Sequence, residues 1–134
     1  MLPFNLGNVL DAQGRATEAA LAYQQALTRD TSFAEAWLNL GLLKERTCEF
    51  RAACDCYRSA IDARPDYSDA LFNLALLLTR DEQHDIALPV WERFLDLTPS
   101  GREAQQARRL ARLCRMQAPS RRSSHESGAQ VTQG

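Results

Sequence analysis

Residues 34–67 read AEAWLNLGLLKERTCEFRAACDCYRSAIDARPDY. The segment predicts two helices, about 34–46 and 50–63, closed by Pro65. Its signposts are Trp37, Leu40, Gly41, Ala53, Tyr57, Ala60 and Pro65. A shift of 34 residues in either direction meets the same pattern again. Asn5-Leu6-Gly7, Asn39-Leu40-Gly41 and Asn73-Leu74 are in one register. So are Ala19, Ala53 and Ala87; Tyr23, Tyr57 and Trp91; Ala26, Ala60 and Phe94; and Leu27, Ile61 and Leu95. A strict period kept at this many positions over three units marks a stacked repeat, in which no single unit can bury its own apolar face.

The composition is that of an ordinary soluble domain, with 45% hydrophobic and 25% charged residues. A net charge of −1 gives bulk electrostatics no pull toward nucleic acid or a membrane surface. No basic residue precedes an apolar core at the N-terminus, so a signal peptide is not expected. No apolar run approaches the roughly 20 residues that span a bilayer. These features point to a cytoplasmic protein, in which Cys48, Cys54, Cys56 and Cys114 stay reduced. The C-x5-C-x-C spacing of the first three lacks the second ligand pair of a zinc site, and they are read as small packing residues.

The pattern W-x2-L-G, A-x3-Y-x2-A, P in residues 34–67 resembles the tetratricopeptide repeat, a helix–turn–helix unit. The resemblance covers three units, 1–33, 34–67 and 68–101. It implies an all-α fold, a right-handed superhelical array (α-solenoid). First helices are expected over about 3–13, 34–46 and 68–81, and second helices over about 16–29, 50–63 and 84–97. The departures are specific. Pro3 and Thr31 stand where a large residue and a Pro are expected. Leu71 replaces Trp, Ala75 replaces Gly, and Phe94 replaces a small Ala. Cys48 and Glu82 stand where the first unit keeps the turn glycine, Gly14. A capping helix over 102–117, with Ser100 as its cap, offers Ala104, Ala107, Leu110, Ala111 and Cys114 on one stripe and arginines on the other. Residues 118–134 carry little to bury and are expected to be a disordered tail.

LFNLALLL, residues 71–78, is apolar nearly all round and needs cover on more than one side. The resemblance turns Leu71, Leu74, Ala75 and Leu78 toward the partner helix and Leu77 toward a neighbouring unit. Phe72 and Leu76 are left facing the concave groove, where such arrays hold a peptide. The matching positions, Phe4, Leu38 and Leu42, are apolar too, and only Asn8 breaks the set. Asn5, Asn39 and Asn73 run beside them. Arg46 and Arg80 are placed at the rim, with Glu35, Asp69, Glu45 and Thr79. Five buried Leu and Phe side chains would contribute about 10 kcal/mol, against an association cost of about 4–15 kcal/mol.

Some co-chaperone domains of this family grip a C-terminal carboxylate with two Lys, two Asn and an Arg. Asn8 and Asn39 match the Asn positions. Phe4 and Asp69 stand at the Lys positions and Asn73 at the Arg position, so every cation is missing and such a clamp is not expected. Nothing in the motifs suggests an enzyme. Of the two histidines, His84 falls at an aromatic packing position and His125 in the tail, and no phosphate-cradling glycine motif occurs. Residues 102–122 hold seven Arg and one Glu, but no aromatic side chain lies among them to stack on bases. A nucleic-acid-binding role is therefore the less favoured reading, and the arginines are read as a solvated cap face. The run W-x2-F-L-x-L-x-P at 91–99 is similar to short bacterial arrays found in longer regulators.

The expectation is a non-enzymatic scaffold or adaptor, without cofactor or metal, that binds an apolar or amphipathic segment of a protein partner. The alternative is a structural module whose groove is filled by a second copy, as a homo-oligomer, or by another part of a larger chain.

Overall fold

The computed structural model describes residues 1–133, with side chains described for residues 1–118. Among the described residues it contains seven α-helices and no strand. They are α1 (Pro3–Ala12), α2 (Ala16–Arg29), α3 (Ala34–Arg46), α4 (Phe50–Ala63), α5 (Ser68–Arg80), α6 (His84–Leu97) and α7 (Arg102–Gln133). The first six lie within one residue of the bounds predicted from the sequence. The chain divides into two compact units, Met1–Asn73 and Leu74–Gly134, with the division inside α5.

Local signals explain where the helices stop better than where they start. No side-chain hydrogen bond caps the N-terminus of α1, α2, α3, α4 or α6. Pro3 in the first turn of α1 costs nothing there, because that N–H would be unpaired in any case. The first-helix ends are built alike. After α1, Gly14 N–H donates to Asp11 O at 2.9 Å and Arg15 N–H to Leu10 O at 2.9 Å. After α3, Cys48 donates to Glu45 O at 3.0 Å and Glu49 to Lys44 O at 2.8 Å. After α5, Glu82 donates to Thr79 O at 3.1 Å and Gln83 to Leu78 O at 2.9 Å. This is the Schellman motif three times, 34 residues apart. It demands a left-handed residue: Gly14 has φ 75°, and Cys48 and Glu82 take φ 62° and 61° without being glycine.

In the first unit α1 packs on α2, α2 on α3 and α3 on α4. The core gathers Leu10, Ala19, Ala22, Tyr23, Ala26, Leu27, Ala36, Leu40, Leu43 and Cys56. Tyr23 and Tyr57 are fully buried, each pressed against a glycine. A Cβ added at Gly7 or Gly41 would come within 2.6 Å of the ring. The first repeat closes without the proline of the later ones, with Thr31 in its place. Asp30 Oδ1 accepts from Ser32 N–H at 3.0 Å and from Ser32 Oγ at 2.6 Å, so an Asx turn replaces the missing ring.

In the second unit α6 packs on α7. Trp91 and Phe94 are fully buried, with ring centroids 6.4 Å apart at 87°, the edge-on geometry aromatics favour. On α7, Ala104, Ala107, Ala111 and Cys114 form the buried stripe expected of the cap, while Leu110 is half-buried. Two details differ from the sequence reading. Gly101, with φ 105°, rather than Ser100 precedes the helix as its cap residue, since its carbonyl accepts Gln105 N–H at 3.1 Å. And α7 is drawn to Gln133, past the end expected near 117. Gly134 lies outside the described residues, as do the side chains of His125 and of the Arg121-Arg122-Ser123-Ser124 run.

Candidate functional site

The groove positions predicted in the first unit are Phe4, Asn8, Leu38, Asn39, Leu42, Arg46, Phe72 and Asn73. The structure joins several of them and buries one, Leu38. Asn8 sits on α1 and Asn39 on α3, one repeat apart less three residues. Asn39 Nδ2 donates to Asn8 Oδ1 at 3.0 Å, and the Tyr23 hydroxyl donates to the same oxygen at 2.7 Å. Both amides are thereby fixed in orientation. Among the described residues, the Nδ2 of Asn8 and the Oδ1 of Asn39 take no hydrogen bond. They form one donor group and one acceptor on adjoining helices, the pair of functions an extended backbone presents.

Arg46, three turns along α3, ion-pairs with Asp11 of α1. Sequence reasoning placed Arg46 at the rim but missed Asp11. The signal was present: Asp11 shares a repeat position with Glu45 and Thr79. Asn8, Asp11, Arg46 and Thr47 line a depression of about 580 Å³. The Asp11 charge and burial both act on Tyr23, burial more strongly, and hold its hydroxyl above the usual tyrosine range. A neutral Tyr23 therefore remains a donor to Asn8 at physiological pH.

Phe4 is half-buried and packs one side against the core. Its ring packs on Phe33 at 4.6 Å and on Tyr23 at 6.0 Å. Leu38 is buried at 7% exposure, which leaves it nothing to offer a ligand. Leu42 and Phe72 are half-buried. Asn73 spends one donor on its own helix, to Asp69 O at 2.8 Å. In the second unit Leu76 is half-buried and Arg80 exposed. Of the five apolar positions Leu38 alone is fully covered; Phe4, Leu42, Phe72 and Leu76 are half-buried, so each could add only part of the burial that the gain of about 10 kcal/mol assumes. One rim position, Thr79, is corrected, and two others have partners within the protein. Thr79 is buried and accepts the Trp91 indole N–H at 2.9 Å. Glu45 accepts the Tyr57 hydroxyl at 2.9 Å, and Glu35 pairs with Arg64.

Cys48 is exposed while Cys56 is buried, with its thiol pushed up to about 11, mainly by desolvation. That makes it an inert packing group. Among the described residues, no three His, Cys, Asp or Glu side chains gather as a metal would require. No described helix is long and apolar enough to cross a membrane. His84 is half-buried at the start of α6, and its Nδ1 is buried without a partner among the described residues.

A model of the TPR repeat matches residues 7–47, and a model of the tetratricopeptide repeat matches residues 49–102. A tetratricopeptide repeat protein from Parabacteroides merdae superposes with a TM-score of 0.77 at 22% identity, over 84% of this chain and 44% of its own. The chain thus spans less than half the length of that neighbour. The first TPR of Spaghetti (RPAP3), solved bound to an HSP90 peptide SRMEEVD, gives a TM-score of 0.73 at 20% identity, over 83% of this chain and 91% of its own. MamA gives 0.69 at 23% identity, over 93% of this chain and 79% of its own. No curated protein sequence matches the chain.

Proposed function

This chain is a tetratricopeptide repeat protein, and we propose that it is a non-enzymatic adaptor, working in the cytoplasm, that binds a segment of a partner protein along the α1–α3 face. The observation that supports this most is the Asn8–Asn39 pair, held by Tyr23, with one amide donor group and one amide acceptor left over on neighbouring helices. The pair is pre-ordered, so a partner backbone meets it without the rotamer cost of about 0.5–1.5 kcal/mol per side chain that binding otherwise carries. Leu42 would add apolar contact, and the Asp11–Arg46 pair would orient charge. Phe72 and Asn73, in the same unit, extend the reading as further contacts.

A structural neighbour holds a heat-shock chaperone peptide, which supports a peptide as the class of ligand. The residues here favour a different sequence. With Asp69 and Asn73 where cations would be needed, the proposed ligand is an apolar or amphipathic segment engaged through its backbone, not an acidic tail.

The test is selection from a random peptide display library against the full chain, followed by titration of the selected peptides. Leu42→Glu and Asn8→Ala, each confirmed folded by circular dichroism, should weaken binding at least tenfold. Selected peptides that bind both variants as well as the parent would move the site elsewhere.

A further inference from the structure

The depression beside Asn8 is shaped by what the first repeat lacks. Ala12, Gly14 and Ala16 line it, together with Leu43 and Thr47 of the next repeat. One repeat further on, the matching register positions hold Arg46, Cys48 and Phe50, and in the third repeat they hold Arg80, Glu82 and His84. The first repeat is therefore the smallest of the three at every one of these positions. The last of them carries a ring in both later repeats: Phe50, about half covered at 51% exposure, and half-buried His84. At Ala16 there is no ring. The space of about 580 Å³ lies within the roughly 300–1,000 Å³ of ordinary ligand pockets.

One wall of the depression is charged. Arg46 reaches from α3 to Asp11 of α1, and its side chain stays 56% exposed. A guanidinium held at one edge by a carboxylate keeps its flat face for an aromatic ring, on which it stacks readily. This chain already makes that arrangement once. Arg64 is paired with Glu35 while its guanidinium lies over the Tyr67 ring, 4.4 Å from the centroid. Among the described residues, no ring lies over Arg46.

We propose that this depression is the anchor subsite of the partner segment and that the side chain it takes is aromatic. This rests on the reading of the α1–α3 face as a peptide site, and it names the residue the peptide carries beside the Asn8–Asn39 pair. The ring rests on Ala12, Ala16 and Leu43 and stacks on Arg46, while Asn8, which lines the same depression, holds the adjoining backbone. An aliphatic side chain would fill the space without the stacking attraction.

The test titrates N-acetyl-tryptophanamide and N-acetyl-leucinamide separately into the isotope-labelled full chain and follows the amide chemical shifts. The tryptophan probe should give saturable shifts at Gly14, Ala16 and Thr47. It should bind at least about threefold more tightly than the leucine probe, the ratio expected of a cation–π contact at an exposed site. Arg46→Gln should remove that preference. Ala16→Phe, which puts the ring of the second repeat into the space, should remove saturable binding of both probes. Both variants should keep the parent's spread of amide shifts, since Arg46 is exposed and Phe50 occupies the matching position in the second repeat. Equal affinity for the two probes, a preference that survives Arg46→Gln, or no saturable shift at these amides would overturn the proposal. Peptides selected on the chain separate its failure from that of the face itself. Peptides that need Asn8 and Leu42 but lose nothing when their aromatic residues become alanine would overturn the anchor and leave the adaptor standing. Peptides indifferent to Asn8→Ala and Leu42→Glu would overturn the face and the anchor with it.

Discussion

Trp91 donates its indole N–H to the Thr79 hydroxyl at 2.9 Å, and both groups are buried. The hydroxyl donates in turn to Ala75 O at 2.7 Å and lies 3.6 Å from Cys114 Sγ, a contact in which either group can donate. Thirty-four residues earlier, Tyr57 donates to Glu45 at 2.9 Å. In the second and third repeats the aromatic thus carries a polar tip that the end of the first helix satisfies, whereas Tyr23 of the first repeat donates to Asn8, about one turn earlier. Thr79→Val keeps the shape and removes the acceptor. The expected cost is about 1–3 kcal/mol, the cost of a buried donor left unpaired. Urea denaturation followed by tryptophan fluorescence measures it. In a Trp91→Phe background the same substitution should cost less than half as much; an undiminished cost would place the role of Thr79 outside this bond.

Gly41→Ala tests the close approach behind Tyr57. An alanine in a helix interior normally stabilises by about 0.5–1 kcal/mol relative to glycine. Here the added methyl would sit 2.6 Å from the tyrosine ring, a contact that must be relieved by moving a buried aromatic. Overpacking of this kind costs about 1–3 kcal/mol. The expected sign is therefore the reverse of the propensity scale, and a rise in thermal stability would show that the ring moves aside freely.

Much of this was legible in the sequence, and the boundary of legibility is physical. Periodicity located the six repeat helices because the stacking contacts recur at one spacing, and Gly7 and Gly41 marked the positions opposite the tyrosines. The groove was read less well because register assigns a residue to a face without saying how tall its neighbours are. Phe4 was given to the groove, yet Phe33 in the preceding turn reaches over to pack on it at 4.6 Å. The clue was in the chain: Phe33 and Tyr67 are both aromatic and 34 residues apart, as Phe4 and Leu38 are. Thr79 was given to the rim, whereas its hydroxyl is buried and accepts from Trp91.

Cys48→Gly and Glu82→Gly should each stabilise the protein. Both residues sit at φ near 60° in a Schellman turn whose first-unit counterpart is Gly14. A left-handed conformation costs a non-glycine residue about 1–2 kcal/mol. Glycine gives part of this back through its greater freedom when unfolded, so the expected gain is about 0.5–1 kcal/mol each. Differential scanning calorimetry reads it as an upward shift in melting temperature. Because the turns are remote from each other in sequence, the two gains should add. A loss in either variant would mean that the side chain contributes a contact outweighing its backbone strain.

An acidic C-terminal peptide should not bind. A terminal carboxylate approaching Asp69 meets a like charge, worth about 1 kcal/mol of repulsion at 4 Å even in water. Asn73, already bonded to Asp69 O at 2.8 Å, has no positive charge to offset it. Isothermal titration with a peptide rich in Glu and ending in Asp should show no saturation at micromolar concentration. Asp69→Lys with Asn73→Arg should create salt-sensitive binding. Micromolar affinity in the parent chain would show that neither position governs the choice of ligand.

Stability should fall steeply above about pH 10, the ordinary tyrosine value. Burial, followed by the hydrogen bond to Glu45, pushes the Tyr57 hydroxyl up; burial and Asp11 do the same at Tyr23, and burial and Glu35 at Tyr67. A raised folded-state value means the native protein holds these protons longer than the unfolded chain does. The contribution is complete below about pH 10, where both states are protonated, and it declines as rising pH strips the unfolded state first. Tyr57→Phe should cost about 0.5–1.5 kcal/mol at neutral pH for the lost hydrogen bond. It should also flatten the decline above pH 10, because one of the three linked protons is gone. Urea midpoints measured from neutral pH into this alkaline range separate the two effects. Parallel curves for parent and variant would show that Tyr57 titrates alike in both states and that the alkaline loss comes from elsewhere.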